Sequence, residues 1–246
     1  MRQVHMTEIL EGTAALSKGI SLLRAIVRDD GATGVGELGE ALGIPRTTAH
    51  RLIAELQRQG LVMRTRRGRY APGFGLISLA AELSVERQLA HAARQPLEDI
   101  AAKTGLTAHL GVLENDMVTY LVKSQASRSA DIFTREKGQL EAYCSGIGKV
   151  LLAHLPDSER SAYLASGPFV PLTPHTLVDP IRLEAALDAV KDTDFAADES
   201  EIALGLRCLA VPVRDPDNKV LAAISLSITD RDTPPADDVL LDLLRA

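Results

Sequence analysis

Gly43-Ile-Pro-Arg-Thr-Thr-Ala-His-Arg-Leu-Ile-Ala-Glu-Leu-Gln-Arg-Gln-Gly60 runs straight into Leu61-Val-Met-Arg-Thr-Arg-Arg-Gly-Arg-Tyr70, and this stretch decides how the chain is built. Its spacing predicts a helix from about Pro45 to Gln59, with Ala49, Leu52, Ile53 and Leu56 inward and Arg46, Thr47, His50, Arg51 and Arg58 outward. Proline at the first helical position loses no hydrogen bond, because that N–H would be unpaired anyway. Upstream, Val35 to Leu42 reads as a short helix presenting Leu38, Ala41 and Leu42. Before it, Ser17 is a candidate N-cap of a helix carrying Ile20, Leu22, Leu23, Ile26 and Val27, stopped by Asp29-Asp-Gly31. Helices separated by a glycine-containing turn, the last with polar residues at its start, describe a helix-turn-helix.

In such a unit the start of the last helix reaches base edges in the major groove. Arg46 is placed to pair bidentately with guanine, Thr47 and Thr48 to bond phosphates or bases, and His50 and Arg51 share that outward face. After Gly60, Leu61-Val-Met63 and Arg69-Tyr-Ala71 read as a β-hairpin with Arg66, Arg67 and Gly68 at its tip. A basic hairpin directly after a recognition helix is a wing. Its arginines, Arg66, Arg67 and Arg69, would lie on phosphates or in a minor groove. The competing reading is an ordinary polar hairpin edge that resists aggregation.

Charge supports the first reading. The 246-residue chain carries −6 overall, but residues 1–90 sum to +3 and residues 91–246 to −9. Between Arg46 and Arg69 stand seven arginines and one acid, Glu55. A basic stretch on an acidic chain points to one module meeting phosphates. At roughly 100–200 residues per domain, the length implies two domains. A composition 46% hydrophobic and 24% charged excludes a mainly disordered or fibrous protein. No apolar run reaches the roughly 18–20 residues of a membrane span, and no signal peptide opens the chain. Cys144 and Cys208 cannot form a disulfide framework, so the expected home is the cytoplasm, with no membrane partner.

Downstream, Phe74 to about Leu89 reads as a helix too apolar for one small domain to cover, suited to connect modules and contribute to a dimer contact. The expected division is 1–72 for the winged unit, 73–90 for the linker helix and 91–246 for the second domain. There His91–Thr104 reads as a helix ending at Gly105, Thr107–Leu113 and Met117–Lys123 as one hairpin, and Leu209–Val213 with Val220–Ile228 as another. Helical segments fall near Gly146–His154, Ser158–Ala165 and Pro180–Lys191. Strands enclosing helices in mixed order give an α+β domain around an antiparallel sheet.

Two features there can carry chemistry. Ala142-Tyr-Cys-Ser-Gly-Ile-Gly-Lys149 turns from extended chain into a helix, whose free amides and dipole favour an anion. The same glycines equally suit a helix start that packs closely. The GxxxxGK[ST] pattern is absent, which argues against an NTPase. The second feature is Ser225 and Ser227, two apart on a strand and so on one face, able to line a polar patch or to face solvent. A cysteine-dependent enzyme was weighed: no histidine is committed by pattern to Cys144 or Cys208, and no metal spacing appears among the six histidines. The expectation is no catalytic residue, no metal and no cofactor.

Taken together, Gly43–Leu52, Gly60-Leu-Val and Gly68-Arg-Tyr, with Cys144–Ala153 and the series Asp198, Glu201, Cys208, Leu209, Ala210, Val213 and Asp215, resemble the IclR family of bacterial transcriptional regulators over nearly the whole chain. Two positions depart from the family pattern, Asp194 for a small residue and Arg214 for an aromatic or histidine, and both read as peripheral. The resemblance implies a winged helix-turn-helix joined by a linker helix to a GAF-like effector domain. It also implies binding to double-stranded operator DNA as a homodimer or a dimer of dimers, and control, commonly repression, by a small carboxylate. It places the effector on Gly146, Ile147, Asp198, Cys208, Ser225 and Ser227, with Ile132, Leu140 and Leu206 as apolar walls. Tyr143 is a guess for a contact to a ring or hydroxyl. Ala142-Tyr-Cys-Ser resembles members answering to hydroxybenzoate- and protocatechuate-type acids, whereas 203–210 and 222–227 resemble the glyoxylate and pyruvate type; an aromatic acid is preferred. The alternative is a DNA-binding dimer whose second domain serves assembly only.

Overall fold

The computed structural model describes residues 2–126 and 132–246, with side chains from residue 13 onward. They form two compact units, Met1–Ser84 and Val85–Ala246.

The first unit opens with α1 (Arg2–Asp29), which runs through Ser17 rather than starting there. No proline interrupts residues 2–29, so nothing in the chain breaks the helix earlier. Asp29 ends it, accepting from the Thr33 amide at 2.7 Å and the Thr33 hydroxyl at 2.6 Å. Helix α2 (Val35–Ala41) buries Val35 and Gly39, while Ala41 and Leu42, expected inward, are exposed. The reason is the crossing with α3 (Arg46–Arg58): a Cβ on Gly39 would lie 2.9 Å from that of Ala49. Close approach along that line turns the inward face away from Ala41 and Leu42. Gly43, at φ +64, makes the turn, and Pro45 is the N-cap of α3 rather than its first residue, so the helix starts one residue later than expected. Leu22, Ile26, Val35, Ile44, Ala49, Ile53 and Val62 form the core. Strands β1 (Val62–Arg66) and β2 (Arg69–Pro72) pair antiparallel as the wing, and the Val35 amide donates to the Gly68 carbonyl at 2.8 Å, tying the wing to α2.

Helix α4 (Phe74–Ala81) ends sooner than expected, and α5 (Val85–Thr104) runs through His91. One helix expected over 74–89 and another from 91 are therefore divided at 82–84 instead. Ser84 stands just before α5, a residue type suited to the N-cap position.

The second unit is a six-stranded antiparallel sheet in the order β5-β4-β3-β8-β7-β6. Its strands are β3 (Thr107–Glu114), β4 (Met117–Gln125), β5 (Gln139–Glu141), β6 (Ala196–Glu199), β7 (Leu206–Arg214) and β8 (Val220–Thr229). One face carries Ala108, Leu110, Val122, Leu209, Val211, Leu226 and Ile228 against α5 and α9 (Asp237–Arg245). The other carries Val118, Tyr120, Ala210 and Ala223 against α6 (Gly146–Ala153) and α8 (Pro180–Thr193), with α7 (Asp157–Ala165) alongside α8. The mixed α+β architecture is the one expected.

Helix α6 is the element that positions the site. Every residue of it is buried, and Gly148 packs on the backbone of Ala142 so closely that a Cβ would overlap the Ala142 carbonyl. Gly148→Ala should therefore destabilise the Val85–Ala246 unit by at least the ~1–3 kcal/mol typical of overpacking and lower its melting midpoint, because the obstacle is backbone. Thermal denaturation followed by circular dichroism checks this; an unchanged midpoint would mean that α6 can shift off the strand.

Candidate functional site

In the first unit Arg46, Thr47, His50 and Arg51 project from α3 into solvent, and Thr48 is half-buried. Arg66, Arg67 and Arg69 are exposed on the wing, where Gly68 turns the chain at φ +74. All eight expected DNA contacts thus lie in the recognition helix and wing. Glu55, the one acid of the stretch, takes a bidentate pair from Arg58 at 2.9 and 2.6 Å, which holds its carboxyl down to about 2. Its charge is thereby satisfied within the helix. Gly36 leaves the Arg46 guanidinium a place to lie, since a Cβ there would come within 3.0 Å of it.

In the second unit the sheet register builds a polar floor. Cys208 stands opposite Ser227, and Ala210 opposite Ser225. Ser225 faces His109, which faces Lys123 on β4. Alternation keeps these residues on the α6 side. The serines are buried rather than turned to solvent. Above them Ser145 caps α6, its hydroxyl accepting from the Gly148 amide at 3.0 Å. That leaves Gly146 and Ile147 at the helix start, where amides have no intrahelical acceptor. These parts close on a narrow cavity of about 10 Å³, room for about one water. Of the expected residues, Ile132, Leu140, Gly146, Ile147, Leu206, Cys208, Ser225 and Ser227 line it together.

Two expected residues do not. Tyr143 packs on Phe169 with ring centroids 4.8 Å apart, and its hydroxyl donates to the Val170 carbonyl at 2.7 Å. Asp198 lies beside the floor on the sheet-edge strand β6, opposite Cys208, with one oxygen accepting from the Glu201 amide at 2.8 Å. Its other oxygen is buried without a hydrogen-bond partner among the described residues. Tyr120, Phe133, Thr134, Ser145 and Ile202 complete the lining and were not anticipated. Nor was His109, whose Nε2 lies 2.8 Å from the Thr134 hydroxyl and whose Nδ1 lies 3.5 Å from that of Ser227. A histidine alternating with core residues gives no signal in sequence until its strand partners are known.

Residues 15–66 match the family model of the IclR helix-turn-helix domain, and residues 82–245 match that of the bacterial transcriptional regulator IclR C-terminal domain. The chain belongs to the IclR family. Like other IclR proteins it is a DNA-binding transcriptional regulator, not an enzyme. It is 30% identical to the HTH-type transcriptional regulator RhmR of Escherichia coli K12, over 86% of this chain and 81% of that one. It is 29% identical to the transcriptional repressor IclR of the same organism, over 87% and 79%. Among solved structures, an IclR homolog from Microbacterium hydrocarbonoxydans complexed with 4-hydroxybenzoate superposes with a TM-score of 0.61 at 26% identity, covering 94% of each chain. No helix among the described residues is long and apolar enough to cross a membrane.

The electrostatics of the IclR-type site follow from burial. Burial pushes both the Cys144 and Cys208 thiols up to about 12. The sulfurs face the Glu141 carbonyl and the Ser227 hydroxyl, so neither is a thiolate nucleophile near neutral pH. Burial lifts the Asp198 carboxyl to about 7 and drops His109 to about 3. These shifts act on stability with opposite sign. Between about pH 4 and 7 the folded chain keeps the Asp198 proton that the unfolded chain loses, so this group lowers stability as pH rises, by about 1.4 kcal/mol per unit. Between about pH 3 and 6.5 the unfolded chain binds the His109 proton that the folded chain excludes, so that group raises stability as pH rises. Asp198→Asn should remove only the first slope, leaving stability that climbs more steeply from pH 4 to 6.5 than in the parent. Urea denaturation across that range measures it; parallel curves for the two proteins would show that Asp198 is ionised when folded.

Proposed function

We propose that this regulator is a repressor whose hold on double-stranded operator DNA is altered by a small carboxylic acid, with an aromatic hydroxy acid the preferred class. The observation that carries this reading is the lining of the closed cavity, where a helix start and two buried serines converge beneath apolar walls that must part to admit the acid. Amides at a helix N-terminus and hydroxyls suit a carboxylate, while Ile132, Leu140, Ile147 and Leu206 suit a flat apolar body. The relative complexed with 4-hydroxybenzoate supports the aromatic class, and the relative named as a repressor supports the sign. Asp198 and Tyr143 serve the site from its margin, by shaping the edge of the floor and the chain leading into α6. On the DNA side, Arg46, Thr47, Thr48, His50 and Arg51 read the major groove, and Arg66, Arg67 and Arg69 hold the backbone.

The protein acts in the cytoplasm as a homodimer or a dimer of dimers. Helix α4 and the residues after it leave Phe74, Ile77, Leu79 and Leu83 exposed in the single chain, at 75, 64, 55 and 60%, a surface that a second copy would cover. The acid favours one arrangement of the assembly over another. Operator DNA must then change affinity for the acid by the same factor.

Two experiments test this. In gel-shift titrations Arg46→Ala should relax discrimination between operator and unrelated DNA, at ~1–3 kcal/mol for a bidentate base contact. Arg67→Ala should instead weaken binding to all sequences and shallow the salt dependence by about one unit; variants indistinguishable from the parent would refute the assignment. A thermal-shift panel of aliphatic and aromatic acids should show stabilisation by at least one acid, reduced in Ser225→Ala. Stabilisation by none would favour a second domain that serves assembly alone.

A further inference from the structure

An anion in this cavity meets an unusual lining. Among the described residues the walls offer hydroxyls, a thiol, amides and apolar groups, but no cationic side chain. Amides and hydroxyls favour a carboxylate over its neutral amide, but the surrounding unit is acidic. A positive charge near the wall would widen that preference, and the cations around the cavity are readily sorted by their partners. Lys149 is buried against Glu201. Arg207 is engaged with Asp237 at 2.7 Å. Arg231 is exposed in an outer groove beside Asp230.

Lys123 differs from all three. It lies on β4 directly opposite His109, which is itself opposite Ser225. Its ammonium donates to the carbonyls of Ile132 at 2.7 Å and Thr134 at 2.8 Å, both residues of the cavity wall. No carboxylate among the described residues pairs with that ammonium; Glu136 accepts from the Lys123 backbone amide and gives its charge to Arg94. The side chain is half-buried. Among the described residues this half-buried cation is held by carbonyls and meets no carboxylate, so that its field extends through the wall that it braces. Burial and the Lys123 charge both keep the neighbouring His109 neutral.

We propose that Lys123 widens the cavity's preference for an anion over a neutral ligand of the same shape. The inference rests on the carboxylate reading above and adds to it a source of charge selectivity. Ser225 and Lys123 are two strand spacings apart, about 10 Å. At that separation and an effective dielectric near 20, one unit charge acting on another changes affinity on the order of tenfold. A pair behind a protein wall is screened by salt much less than a surface pair.

The test compares two ligands in three proteins. The acid giving the largest shift in the thermal panel and its carboxamide are titrated calorimetrically into the parent, Lys123→Gln and Lys123→Arg. Glutamine keeps donors for the Ile132 and Thr134 carbonyls while removing the charge, and arginine keeps the charge. The parent should prefer acid to amide. That preference should fall about tenfold in Lys123→Gln and persist in Lys123→Arg, with amide affinity little changed throughout. A uniform loss for both ligands in Lys123→Gln, leaving their ratio intact, would show a merely structural brace and overturn the inference. So would loss of the preference in Arg231→Gln with Lys123→Gln unaffected. If the parent binds no acid at all, the carboxylate reading itself fails, an outcome distinct from both.

Discussion

A buried ion pair holds the effector domain's working parts together. Lys149, in the first turns of α6, meets Glu201 in the loop after β6, with both side chains almost wholly out of water. Desolvating two charges costs several kcal/mol per ion, and attraction offsets that only where the remaining lone pairs are also satisfied. Here the surroundings do so. Glu201 also faces the Leu177 amide at 3.4 Å, its carbonyl accepts from Thr176 at 2.7 Å, and its own amide donates to Asp198. Thr173 adds a bond to the Ser200 carbonyl at 2.7 Å. The pair thereby fixes the start of α6 over β7 and fastens the loop that leads into Leu206 and Cys208. Gly146 lies against Cys208 and Ala210 as a result, where a Cβ would come within 3.3 Å of that of Ala210 and press on the floor. Roof and floor of the cavity are set by one contact and one glycine.

What was legible in sequence follows from the range of each interaction. The recognition helix, the wing and the paired serines rest on local periodicity, and the structure has all three where they were expected. Gly148 was visible only as one of two glycines; its contact with the Ala142 backbone gives the close-packing reading its physical content. Strands β5 and β6 are three and four residues long and lie at the sheet edges, too short for an alternation to register. His109, Lys123 and Thr134 come from three different segments, and only the β3–β4 register with the returning chain brings them together. Tyr143 misled because nearness in sequence to the glycines was taken for nearness in space, whereas the chain turns its ring toward Phe169.

The two departures from the family pattern show the same limit in another form. Asp194 and Arg214, each peripheral when read alone, are partners: the Arg214 guanidinium bonds the Asp194 carboxylate and lies 3.1 Å from His154 Nε2. Asp194 ends α8 in the left-handed region at φ 59, and Arg214 ends β7 at its bulge before β8. A small residue and an aromatic at these places would leave helix end and hairpin base to pack by shape. Here they are joined by charge, with His154 Nδ1 turned to the Val150 carbonyl at 2.8 Å so that Nε2 can accept from the arginine. Two unusual residues that are each other's explanation cannot be recognised one at a time.

The division of charge between the units now has a mechanism on each side. With a screening length near 8 Å at physiological ionic strength, a phosphate responds chiefly to the charges it lies beside. The basic stretch suits that role, and the −9 carried by residues 91–246 discourages the second unit from competing for the same backbone. For an effector the argument reverses. The net field of its own domain opposes an anion at long range, so attraction must begin at the wall, where amides, hydroxyls and a carbonyl-held lysine lie close to the ligand. A neutral cavity with a cation behind it that meets no carboxylate among the described residues can sharpen the distinction between a carboxylate and its amide without trapping every small anion that passes. Placing that charge on β4, bonded to the carbonyls of Ile132 and Thr134, also means that the group sensing the ligand's charge is one that shapes the wall.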